Sequence, residues 1–169
     1  MRVFCATTEQ MMDLVHGDIL LSRGHHSLCK LLAFASGTGI SHAAAVIGDK
    51  VHSFSRRHGE VLVMSKEEYL RKFTVPLVLR PTTPASSRPR VKMGRYAIIE
   101  NNCTDHVLRI SHMMGHTENL PRMRYVVPHR MRHMPGYVRV HGARVPFVYK
   151  MGPALILIVV FMILHKSWR

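Results

Sequence analysis

A histidine heading one segment and a cysteine heading a later one constrain this chain more than any other feature. Ser41-His42-Ala43-Ala44-Ala45-Val46-Ile47-Gly48-Asp49 is a small, apolar run closed by a Gly-Asp turn. It predicts a buried strand over Ala43–Ile47 that folds back through Gly48-Asp49 onto a partner over Lys50–Ser55. Further along, Asn101-Asn102-Cys103-Thr104-Asp105-His106-Val107 sets a cysteine where an Asn-capped helix begins, and Val107, Leu108 and Ile110 carry that helix towards Met114. A thiolate at a helix N-terminus is stabilised by the unpaired N–H groups and the dipole. An imidazole beside it can take the thiol proton and hand it to a leaving group, which is the chemistry of acyl transfer.

The rest of the front half predicts mixed helix and strand. Gly17-Asp18-Ile19-Leu20-Leu21-Ser22 reads as a short strand after a Gly-Asp turn. Ser27 to Ala35 has helical spacing, with Leu28, Leu31, Leu32 and Ala35 on one face, and Gly37-Thr38-Gly39 ends it. Gly59 to Met64 and Val75 to Arg80 read as strands. Between them Ser65 caps a short helix, with Glu68 at the capping-box position. The Pro/Ser-rich stretch 81–92 reads as a linker. A length of 169 residues supports one domain with a sizeable core.

Charge is distributed unevenly. The chain holds 24 Lys+Arg against 10 Asp+Glu, a formal net charge of +14. No Asp or Glu occurs from Asn119 to Arg169, while Arg122, Arg124, Arg130, Arg132, Arg139 and Arg144 crowd that stretch. A one-signed block suits an anionic partner: a lipid headgroup, nucleic acid or an acidic protein surface. Pro121 to Tyr149 shows no clean period and reads as an extended basic arm. Cys5, Cys29 and Cys103 stand at unrelated spacings, which makes neither a disulfide framework nor a CxxC metal pair. Met1 to Leu14 lacks the apolar run of a signal peptide, so a reducing compartment and a cytosolic main domain are expected.

The C-terminal end carries an uncharged run, Met151 to Leu164, between Lys150 on one side and His165, Lys166 and Arg169 on the other. It predicts a single-pass membrane anchor over 150–169, with Pro153, Leu155, Ile158 and Phe161 in the hydrocarbon and Trp168 in the interfacial belt. The run spans about 21 Å of a roughly 30 Å hydrocarbon core, so crossing requires extension back to Val145 with Lys150 snorkelling. Three units follow: a domain over 1–118, the arm over 119–149 and the anchor over 150–169.

The ordered set Gly17-Asp18-Ile19-Leu20-Leu21, Ser41-His42 with Gly48-Asp49, Val51-His52-Ser53 and Asn102-Cys103 resembles the permuted papain-like hydrolases related to the NlpC-type peptidases. That group includes the YiiX-like and lecithin:retinol acyltransferase-like branch, which the chain resembles over roughly Val15 to Met114. Histidine precedes cysteine, as a circular permutation requires. The resemblance implies an α+β fold: a circularly permuted papain-like domain with an antiparallel sheet, followed here by the basic arm and a C-terminal transmembrane helix. It implies Cys103 as nucleophile, His42 as base, His52 as the third polar residue orienting His42 across the hairpin, and no cofactor. A histidine at that third position matches the acyltransferase branch, which often has a C-terminal membrane helix. The chain departs from the pattern in two places. A Pro/Ser-rich linker stands where the family has a full helix, and Ala43-Ala44-Ala45 stands where bulkier residues are common.

Other histidines compete for roles. His58 rivals His52, and His106 is expected to support its helix rather than act as the base. His25-His26 and the pair His129/His133, spaced i,i+4, lack a third ligand, so no metal centre is expected. Two functions remain. One is a membrane-anchored cysteine hydrolase or acyltransferase acting on ester or amide bonds, lipids foremost. The other is a non-catalytic, basic, membrane-anchored structural protein, such as a virion component, that binds nucleic acid or an acidic surface.

Overall fold

Residues 13–25, 27–55, 59–87, 89, 102–116, 128–142 and 147–167 are described by a computed structural model. Six strands, β1 (Ile19–Gly24), β2 (His42–Ile47), β3 (Lys50–Ser55), β4 (Glu60–Ser65), β5 (Phe73–Pro81) and β6 (Tyr137–Gly142), form one sheet in the order β4-β3-β2-β1-β5-β6. Every pairing is antiparallel. Four α-helices accompany it: α1 (Ser27–Ala35), α2 (Lys66–Lys72), α3 (Cys103–Met113) and α4 (Phe147–Ser167). The chain is therefore α+β with an antiparallel sheet.

Side-chain alternation divides the core into two layers. Ile19, Leu21, Ala43, Ala45, Ile47, Leu77 and Leu79 face Val107, Ile110 and Met114 of α3. Leu20, Ala44, Val46, Val51 and Val78 face Tyr69 of α2 together with Leu14, Met64 and Val75. All six residues of β2 are buried because the strand has neighbours on both edges and a layer on both faces. The three consecutive alanines thereby acquire a reason: Ala43 and Ala45 add little thickness, which lets α3 sit close over β2.

Local signals place the helices. The side chain of Ser65 accepts a hydrogen bond from the Glu68 N–H at 3.1 Å, the cap its sequence predicts. Gly48 turns the β2–β3 hairpin at φ 62°, where a side chain would be strained. Within the stretch read as a linker, Ser86 and Ser87 fasten the chain to the end of α3, donating to the carbonyls of Met114 and Met113 at 2.9 and 2.8 Å.

The stretch read as an arm contributes to the fold. Pro128–His133 forms a 3-10 turn that drives Met131, followed by Met134, into the α3 layer, and β6 extends the sheet beyond β5. The apolar residues that do this, Met131 between Arg130 and Arg132 and Met134 between His133 and Pro135, are too sparse to register as a period.

The expected membrane anchor is overturned. Among the described residues no helix is long and apolar enough to cross a membrane, so a single-pass C-terminal anchor over 150–169 and a membrane location based on it are not supported. The first turns of α4 hold Lys150, Gly152 and Pro153, and that end of the helix packs on α1. Tyr149 lies under the Arg23 guanidinium at 4.7 Å, and Pro153 lies against Gly37. Leu155 and Ile158 are exposed on α4; the Phe161 side chain and Trp168 lie outside the described residues.

The α1–α4 contact depends on one missing methyl group. A Cβ on Gly152 would stand 1.9 Å from the backbone oxygen of Phe34. Gly152→Val is expected to cost about 1–3 kcal/mol by overpacking and to raise amide exchange across Ser27–Ala35 while leaving β1 and β2 protected. Unchanged exchange in α1, read by hydrogen–deuterium mass spectrometry, would show that the helices are not held together there.

Candidate active site

Cys103 is the first residue of α3, and the cap that begins the helix is complete. The Asn102 side-chain oxygen accepts from the N–H groups of Thr104 (2.8 Å) and Asp105 (3.2 Å), while Asp105 Oδ2 accepts from the Asn102 N–H at 2.9 Å. This capping box fixes where the helix starts and hence where the thiol sits. Cys103 and Cys29 are both thiols. Cys103 is 4% exposed, and α3 packs against β2 and β3.

His42 heads β2, directly opposite Ser22 of β1. Its ring is buried and stacks on Phe73 at 5.1 Å, and Phe73 stacks in turn on Tyr69 at 4.5 Å. Nε2 shares a 2.8 Å hydrogen bond with Ser53 Oγ. With Nε2 engaged there, Nδ1 is the ring nitrogen available to exchange a proton. Burial lowers the His42 pKa from 6.5 to about 4, so the ring is neutral at pH 7 and able to accept one.

Tyr69 links this histidine to the cysteine end of α3. Its hydroxyl and Ser22 Oγ are 2.7 Å apart. Its pKa is raised chiefly by burial, opposed by the Ser22 hydrogen bond, with the nearby Cys103 charge adding to the rise. Tyr69 thus joins Ser22, which lies opposite His42, and senses the charge of Cys103.

His52 is placed differently from the expectation. The hairpin register sets it opposite Ala45, and the alternation of β2 and β3 turns it to the α3 face while His42 turns to the α2 face. It therefore does not orient His42; Ser53, one residue on, has that position. The signal was present in the sequence. A two-residue Gly48-Asp49 loop sets Ile47 against Lys50, and counting outward puts Ser53 beside Ala44, on the His42 face. His52 is half-buried, which lowers its pKa. His58 lies outside the described residues.

His106 is buried more deeply than His42. It is 1% exposed, tilted against Phe54 at 6.0 Å, and neither ring nitrogen has a hydrogen-bond partner among the described residues. Its pKa falls to about 4, first through burial and then through the neighbouring His52, His42 and Arg109.

Of the basic residues proposed to meet an anionic surface, Arg130 and Arg139 are exposed and Arg132 partly so; Arg122, Arg124 and Arg144 lie outside the described residues. Arg139 reaches the Arg132 carbonyl at 3.4 Å, which sets β6 and the 3-10 turn side by side as one cationic edge. His129 and His133 fall on that 3-10 turn, where residues four apart no longer share a face. Among the described residues no group of three or more His, Cys, Asp and Glu is arranged to hold a metal ion. Comparison with known proteins returns no matching family model, no matching curated protein and no matching solved structure.

Proposed function

We propose that this chain is a cysteine-dependent acyl hydrolase or acyltransferase of the permuted papain-like type, acting on an ester or amide bond, lipid esters being the leading substrate class. Cys103 is the nucleophile and His42 the base. The observation that carries the reading is Cys103 at the first position of a fully capped helix, together with a buried, neutral His42 held through Nε2 by Ser53. In the acylation step the Cys103 proton passes to His42 Nδ1, the sulfur bonds to the acyl carbon, and the leaving group departs with the proton from His42. Ser53 holds the ring so that Nδ1 stays available throughout.

A second reading, a basic binding protein that uses the same fold without turnover, is favoured by one observation: Cys103 and His42 are only 4% and 8% exposed, a closed arrangement for a substrate to enter. In that reading the cationic edge of Arg130, Arg132 and Arg139 engages nucleic acid, anionic lipid or an acidic protein.

Labelling with a small haloacetamide separates the two. With Cys5 and Cys29 replaced by Ser, Cys103 is expected to label with a midpoint well below the free-thiol value of about 8.5, and His42→Ala is expected to move that midpoint up. A slow, ordinary thiol indifferent to His42 would remove the enzyme reading and leave the binding protein.

A further inference from the structure

Acyl transfer through Cys103 needs hydrogen-bond donors for the oxygen that becomes negative when the thiolate attacks. The usual source is the free N–H groups of a helix's first turn. Here much of that supply is spent: the Thr104 and Asp105 N–H groups point at the Asn102 side chain, and the His106 N–H at the Asn102 carbonyl, 3.1 Å away. With those three N–H groups engaged, a side-chain donor would strengthen the site.

His106 is placed to supply one. It stands three residues after Cys103, hence on the same side of α3, and helical side chains lean towards the N-terminus, which carries its ring over the turn that holds the thiol. Leaving a buried polar group without a partner costs about 1–3 kcal/mol. His106 has two such atoms, Nδ1 and Nε2. A phenylalanine would fill the space against Phe54 at no such cost, so packing does not account for the imidazole. Resting on the Cys103 reading above, we propose that His106 is the oxyanion donor of this site: its neutral ring N–H hydrogen-bonds the substrate carbonyl oxygen as Cys103 Sγ bonds to the carbonyl carbon. No proton leaves His106 in this step. The thiol proton goes to His42 and from there to the leaving group, and the negative charge that builds on oxygen collapses back as the bond to the leaving group breaks. A neutral imidazole suits the task, because it donates without also acting as an acid.

The test compares two reactions of the same thiol in the full chain, with Cys5 and Cys29 replaced by Ser. Acylation by p-nitrophenyl acetate passes through an oxyanion; alkylation by iodoacetamide is a displacement at carbon and does not. His106→Phe is expected to lower the ratio of acylation to alkylation rates by about 100-fold, and His106→Gln, which keeps an N–H donor, to restore most of it. An unchanged ratio in His106→Phe would overturn the role of His106 while leaving Cys103 as the nucleophile. Loss of both reactions in parallel would show that His106 supports the helix and nothing more. No acylation of Cys103 in the parent protein would overturn the nucleophile assignment, and the oxyanion role with it.

Discussion

The protein is expected to lose most of its stability between pH 6.5 and pH 4. Burial lowers the pKa values of His42 and His106 from 6.5 to about 4. Above pH 6.5 both rings are neutral in folded and unfolded chains alike, and the full stability is present. As the pH falls below 6.5 the unfolded chain binds two protons that the folded one refuses until about pH 4. Stability is therefore lost across that window, at up to about 1.4 kcal/mol per pH unit for each histidine. The partial burial of His52, His116 and His129 acts in the same direction. Against a typical total of roughly 5–15 kcal/mol, a loss on the order of several kcal/mol is enough to bring the midpoint of unfolding close to room temperature. Thermal melts from pH 8 to pH 4 check this: Tm should be flat above pH 7 and fall steeply below it. His106→Phe should flatten the slope by about one proton's worth, which the linkage relation converts directly. A melt as steep in that variant as in the parent would remove His106 from the account.

The second large effect centres on Asp18, fully buried at the start of β1. Its carboxylate accepts from Arg80 Nε and Nη2 and from the Val15 N–H, each at 2.9 Å, and Arg80 also donates to the Asp13 carbonyl. The bridge fastens the segment before β1 to β5, and the hydrogen bonds that Arg80 donates to Asp18 are the first cause of the raised Arg80 pKa. Asp18→Ala removes the acceptor of three donors at once and is expected to cost about 3–5 kcal/mol. Arg80 is partly exposed, with 32% of its side chain accessible, so water can reclaim some of its charge and the lower end of that range applies. Urea unfolding of Asp18→Ala, Arg80→Ala and the double variant measures the coupling. The double variant should cost little more than Asp18→Ala alone. Simple additivity of the two single costs would show that the bridge contributes nothing as a pair.

Much of the local structure was legible in the residues because its causes are local. The Ser65 cap, the Asn102 cap, the Gly48-Asp49 turn and the ends of α1 each depend on groups within a few positions of one another. The catalytic candidates Cys103 and His42 were legible for the same reason, as the heads of a capped helix and a buried strand. The third position was misread by one residue. His52 is the more reactive side chain, but strand alternation ignores reactivity and puts Ser53 on the His42 face. The C-terminal run was read as a membrane anchor, but no helix among the described residues is long and apolar enough to span, and hydropathy does not register that Gly152 and Pro153 lie against α1.

What the sequence determined by itself, then, is a set of local elements in the first two-thirds of the chain, among them the capped helix that presents Cys103 and the hairpin that follows His42, and a one-signed charge over its last third. Its information there is short-range, carried by caps, turns and periodicity. Only the tertiary structure decided which distant groups meet. It returned Met131, Met134 and β6 to the sheet, bound Arg80 to Asp18 across the fold, set Tyr69 between Ser22 and the Cys103 end of α3, and buried His106 with both nitrogens unpartnered among the described residues. Each of these depends on the order of strands in the sheet and on which face a residue takes, and those follow from packing two layers against one sheet rather than from any neighbour along the chain.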